Sequence, residues 1–156
     1  MTAPAGDGRA KLYLQAGQIL TAAEPTAITT VVGSCVAVGL FDAAAGAGGM
    51  NHFLLPYPVQ GELTPRFGSV AIPELVRLVL ERGARRNRLQ AKVFGGACVI
   101  DVFRGSGRHV GEDNVELALR TLEAERIPVM ERDVGGTRGR KVIFHADDGS
   151  AWVRSL

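Results

Sequence analysis

The amino-acid sequence predicts an α+β fold on three observations. Two stretches carry apolar residues at helical spacing, about seven or eight others read as strands, and the two kinds do not alternate strictly. The 156 residues, 46% hydrophobic and 22% charged, suit one globular domain with its own core and exclude wholesale disorder. No linker or internal repeat divides residues 10–156, which read as a single domain. Residues 1–9 are small and polar and are expected to be a flexible N-terminus.

In chain order, Leu12, Leu14, Ile19 and Leu20 are broken by Gly17 and read as short strands around a turn. The segment from Ile28 to Asp42 is the most β-like. Gly33-Ser34 interrupts it, and the run Val36 to Phe41 fits a strand buried on both faces. Residues 43–49 are expected as a small-residue turn and Met50 to Leu55 as a strand stopped by Pro56 and Pro58. A polar loop spans residues 57–68. Ile72, Leu75, Val76 and Val79 then mark one face of a helix ending at Gly83, with Pro73 placed in its first turn. Ala91 to Phe94 reads as a strand running into Gly95-Gly96. Val115, Ala118, Leu119 and Leu122 mark a second helix, whose Asp113 and Glu116 suit the positive end of its dipole. Pro128 closes it, and strands follow at residues 129–134, 141–145 and 151–154.

The formal charge of +2 is too small to imply nucleic-acid binding. No stretch approaches the roughly 18 apolar residues of a membrane span, and the start, Met1 to Gly6, lacks the basic and apolar regions of a signal peptide. Two cysteines do not make a disulfide scaffold, so reduced thiols and a cytoplasmic location are expected. Walker, HExxH, paired CxxC and dinucleotide motifs are lacking, and three histidines with two cysteines have no metal-ligand spacing. The basic group Arg82, Arg85, Arg86 and Arg88 reads as a solvated helix end. The 135–141 stretch, with three glycines and three cations, reads as a tight hairpin loop.

Cys35 stands out because it follows Gly33-Ser34 and precedes the apolar strand. A buried inert thiol is the commoner case. The functional alternative is a nucleophile at an element end, where flexible backbone brings N–H groups near a reacting carbonyl. A thiol near its ordinary pKa of about 8.5 is mostly protonated at neutral pH and needs a base. Spacing alone does not choose among His52, His109 and His145. His52 follows a Gly-Gly turn and could flank a cleft, whereas His109 and His145 are expected to face solvent. Cys98 reads as a core thiol.

The runs Thr30-Val31-Val32-Gly33-Ser34-Cys35-Val36-Ala37-Val38 and Gly48-Gly49-Met50-Asn51-His52-Phe53-Leu54-Leu55-Pro56 resemble the CheD family of chemoreceptor glutamine deamidases. So do Ala91 to Ala97, Val110-Gly111-Glu112-Asp113-Asn114, and Asp133 to Gly136 with Arg138 to Val142. Together these blocks cover roughly residues 10–155, in order. The resemblance implies Cys35 as nucleophile and His52 as general base and acid. Its third residue, a Thr six positions before the Cys, falls on Thr29, with Thr30 beside it. It also implies a sandwich of packed mixed sheets flanked by helices, similar to bacterial toxin deamidases. The implied activity converts receptor glutamines to glutamates through a thioester, without metal or organic cofactor. Methyl-accepting chemotaxis receptors are the implied substrate and a CheC-type phosphatase an implied partner. The alternative is a non-catalytic module that regulates by docking. Gly39 departs from the family where a second Cys is common, and Asp113 departs where Arg is usual.

Overall fold

The computed structural model describes residues 7–99 and 107–156. Among them run β1 (Ala10–Tyr13), β2 (Ile19–Ala22), β3 (Thr26–Val32), β4 (Val36–Asp42), β5 (Ala47–Phe53), α1 (Gly68–Glu81), β6 (Gln90–Gly95), α2 (Val110–Ala124), β7 (Val129–Val134), β8 (Arg140–His145) and β9 (Ala151–Ser155). The strands form two mixed sheets, one of four in the order β1-β3-β8-β9 and one of five in the order β2-β5-β4-β6-β7. The fold is an α+β sandwich: helices α1 and α2 cover one face of the five-stranded sheet, and the four-stranded sheet packs on its other face.

Strand β4 explains this layering. All seven of its residues are buried. Val36, Val38 and Leu40 join the core beneath the helices, with Leu75, Val79, Leu117 and Leu122. Ala37 and Phe41 point the other way, into the layer between the sheets, with Ile28, Met50, Phe94 and Phe144. Side chains alternate across a strand, so one continuous apolar run supplies both cores.

Five expectations are corrected. The strand after the 43–49 turn begins at Ala47 and takes in Gly48 and Gly49. A Cβ on Gly48 would lie 2.2 Å from the Ala146 carbonyl, and one on Gly49 2.5 Å from that of Leu20, so close backbone approach rather than turning selects these glycines. Helix α1 starts at Gly68, which puts Pro73 at its sixth residue instead of its first turn. The 135–139 segment is not a hairpin loop, because β7 edges the five-stranded sheet while β8 lies between β3 and β9. The arginines after α1 are tied rather than merely solvated: Asp42, buried at the end of β4, accepts from the Arg85 backbone N–H at 2.9 Å and from Arg88 Nε at 3.0 Å. Finally, the strands among the described residues number nine, because the 28–42 run splits at Gly33-Ser34 into strands of different sheets. Of the first nine residues, 1–6 lie outside the described residues, and Arg9 forms a two-pronged pair with Asp147 at 2.9 and 3.0 Å.

Candidate active site

Cys35 occupies the step between the sheets, one residue before β4. The step is held from below by the turn after β6: Gly96 N–H donates to the Cys35 carbonyl and Ala97 N–H to the Gly33 carbonyl, both at 2.9 Å. Only glycine fits at position 95, which has φ +111° and where a Cβ would stand 2.2 Å from the Cys35 carbonyl oxygen. The half-buried thiol packs against the inter-sheet core and opens onto a cleft of about 480 Å³. Leu54, Leu55, Arg66, Phe67 and Val110 line that cleft with Ser34. Burial pushes the Cys35 thiol above its ordinary pKa, and its own backbone N–H opposes the shift.

His52 lies near the end of β5, directly opposite Ala37 of β4. The residue two places before Ala37 lies just outside the ladder and packs against the same inter-sheet core that Ala37 joins. That residue is Cys35. The imidazole is 4% exposed and reaches across the inter-sheet layer, where its Nδ1 lies 2.8 Å from Thr30 Oγ1. Thr30 Oγ1 also donates to the Leu14 carbonyl at 2.8 Å. A hydroxyl has one proton, and a carbonyl only accepts, so Oγ1 must accept from His52 Nδ1–H. The proton is thereby fixed on Nδ1 and the lone pair on Nε2, which is buried and has no hydrogen-bond partner among the described residues. Burial lowers the His52 pKa below its usual value, so the ring is a neutral base at neutral pH.

The hydroxyl at this position is that of Thr30 and not Thr29. Ile28, Thr30 and Val32 are buried against the second sheet, whereas Thr29 and Val31 take the opposite face of β3. The two other histidines are less exposed than expected. His145 is 2% exposed and packs tilted against Trp152, with ring centroids 4.5 Å apart and planes at 53°; His109 is half-buried at the start of α2, 3.4 Å from Glu112. Cys98 is buried and lines a neighbouring cleft with His109 and Arg108. Sequence reasoning gave no role to Asn114, whose side chain joins the Cys35 step to the end of β5; the pattern Gly111-Glu112-Asp113-Asn114 was its only trace. Among the described residues no group of three or more His, Cys, Asp or Glu side chains could hold a metal ion, and no helix is long and apolar enough to cross a membrane.

The family model for CheD chemotactic sensory transduction matches residues 54–155, about two-thirds of the chain. The chain belongs to the CheD family. It is similar to a probable chemoreceptor glutamine deamidase CheD 1 of Anaeromyxobacter dehalogenans, with 65% identity over 153 residues, covering 98% of this chain and 89% of the relative. It is also similar to a probable chemoreceptor glutamine deamidase CheD of Trichlorobacter lovleyi, at 46% identity over 89% of this chain and 86% of the relative. A third such relative, from Sulfurimonas denitrificans, is 38% identical over 92% of this chain and 93% of its own length. The family-model match begins beyond His52, so the bacterial relatives, not that match, carry the CheD likeness through the Cys35–His52 region.

Proposed function

We propose that this CheD protein is a protein-glutamine glutaminase that converts glutamine side chains of chemotaxis receptors to glutamate in the cytoplasm. Cys35 is the nucleophile, His52 the general base and acid, and Thr30 the residue that orients His52. The observation that supports this most directly is the fixed tautomer of His52, which leaves Nε2 without a partner among the described residues, in the inter-sheet layer that Cys35 also packs against.

His52 Nε2 takes the thiol proton as Cys35 Sγ attacks the carboxamide carbon, and the carbonyl oxygen becomes a tetrahedral oxyanion. Backbone N–H groups at the Cys35 step are the donors available to it; one such donor is typically worth about 3–4 kcal/mol of barrier. The imidazolium returns its proton to the amide nitrogen, the C–N bond breaks and ammonia leaves a thioester. Water then gives a proton to Nε2 and attacks the same carbon. The thiolate departs and is reprotonated, and the product is glutamate. The low basicity of His52 and the high pKa of the thiol favour a neutral resting pair, with the proton moving during attack rather than before it.

The test is mass spectrometry of a receptor cytoplasmic segment incubated with the protein and with Cys35→Ala. Glutamine-to-glutamate conversion is expected only with the unaltered chain. A docking module, on receptors or on a CheC-type phosphatase, would leave every glutamine intact with either protein. Conversion that survives Cys35→Ala would refute the nucleophile.

A further inference from the structure

We propose that Asn114 is a positioning residue that holds the nucleophile step against the end of the histidine strand; this rests on the Cys35–His52 reading above and deepens it. The β4–β5 ladder has Val36 opposite Phe53 as its last pair at this end. The next residues outward would be Cys35 and Leu54. There the sheet opens to form the cleft, and strand pairing no longer fixes the distance between the two chains. Asn114 closes that gap: its Nδ2 donates to the Ser34 carbonyl at 3.0 Å and to the Leu54 carbonyl at 2.9 Å. One amide thus ties the residue before the thiol to the residue two beyond the imidazole.

Both acceptors are carbonyls, so only the NH₂ side of the amide can face them, and its orientation is settled by chemistry. The side chain is fully buried and its Oδ1 has no partner among the described residues. An unmade bond at a buried acceptor is costly, and an apolar side chain would avoid it. The position therefore selects for the two donors. Helix α2 is itself seated on the same step. A Cβ on Gly111 would come within 2.5 Å of the Gly96 carbonyl, and Gly96 N–H holds the Cys35 carbonyl. The clamp is consequently anchored to a helix and not to a loop.

Asn114→Asp keeps the shape and removes both donors. In the full-length chain three quantities are measured: kcat and KM for glutamine deamidation of a receptor segment, iodoacetamide labelling of Cys35 with Cys98 as internal reference, and thermal unfolding. Misplacing reacting groups by an ångström can cost about 100-fold, so kcat is expected to fall by about that factor with KM within about threefold. Cys35 should label about fivefold faster as its step loosens, with Cys98 unchanged. Leu122→Ala, in the core under α2, supplies the control: it lowers the melting temperature yet leaves kcat and the labelling ratio in place. If Asn114→Asp does not fold, Asn114→Ser removes the clamp without adding charge and is held to the same criteria. A kcat within about twofold of the unaltered chain overturns the proposal. So does unchanged or slower labelling of Cys35, acceleration of both cysteines together, or an equal kcat loss in Leu122→Ala. Because labelling reads the thiol directly, it reports on the clamp even if Cys35→Ala were to leave deamidation untouched.

Discussion

Thr30 has one hydroxyl proton and two neighbours that compete for it, the Leu14 carbonyl and His52 Nδ1. Only the imidazole nitrogen can exchange donor for acceptor, so the carbonyl takes the proton and the ring is left with its base on Nε2. Thr30→Val removes this constraint at nearly constant volume and frees the wrong tautomer, a fault that lowers kcat by several powers of ten in other triads. A loss of at least about 100-fold is expected here, with Thr30→Ser close to the unaltered chain. Thr29→Val, on the far face of β3, should stay within about threefold, as a surface change does. Deamidation rates of the three variants, measured side by side, decide the assignment. With His52 as the proposed base, its burial also sets the acid limb of the reaction. A protonated Nε2 cannot take the thiol proton, and the folded pKa lies below the ordinary histidine value of about 6.5. The kcat/KM profile should therefore not begin to fall until pH is below that value; a midpoint above pH 7 would contradict a buried neutral base.

Gly39 shows how strictly the two sheets fit. It lies on the inter-sheet face of β4, and a Cβ there would stand 2.7 Å from the ring of Phe144. The family commonly has a second Cys at this position, so in this chain the Phe144 ring fills space that a side chain would need. Gly39→Val is expected to destabilise the fold by about 1–3 kcal/mol through overpacking, read as a lower urea midpoint. An unchanged midpoint would mean that the sheets can slide apart freely. The strands β3, β4 and β6 and the helices α1 and α2 were legible from the chain, because period and continuity of apolar residues report burial directly. Which sheet each strand joins was not. β1 and β2 read as neighbours around Gly17 yet enter different sheets, and the glycines at 135–139 span the sandwich instead of closing a hairpin. The same limit governs the site. The family resemblance implied Cys35 and His52, but Thr29 and Thr30 differ only in which face they take, and a one-residue step in a strand reverses the face. Asn114 was invisible for a related reason, since the carbonyls it joins are 80 and 60 residues away in the chain.

The packed layers also bury two imidazoles at separate places, His52 between the sheets and His145 at the end of β8 beside Trp152. Burial lowers the pKa of both, and for His145 the nearby Arg9 adds to the effect against the opposing pull of Asp148, Asp7 and Asp147. Below about pH 6.5 the unfolded chain takes up protons on these rings that the folded chain refuses. Protons therefore favour the unfolded state, and stability present in full above that pH declines as pH falls toward the folded pKa values. Each ring can contribute at most about 1.4 kcal/mol per pH unit in this window. The carboxylates act lower on the scale. Burial opposes ionisation of Asp42 and Asp147, but hydrogen bonds from backbone and arginine donors outweigh it and hold both below the usual range, so their loss belongs below about pH 4. Urea midpoints measured at pH 7.5 and pH 5.5 should thus drop on acidification. His145→Phe should remove part of that drop while leaving the acid limb of catalysis where His52 sets it. If the midpoints were equal at the two pH values, neither imidazole could be held neutral by the fold, and the same measurement would remove the basis for His52 as the resting base.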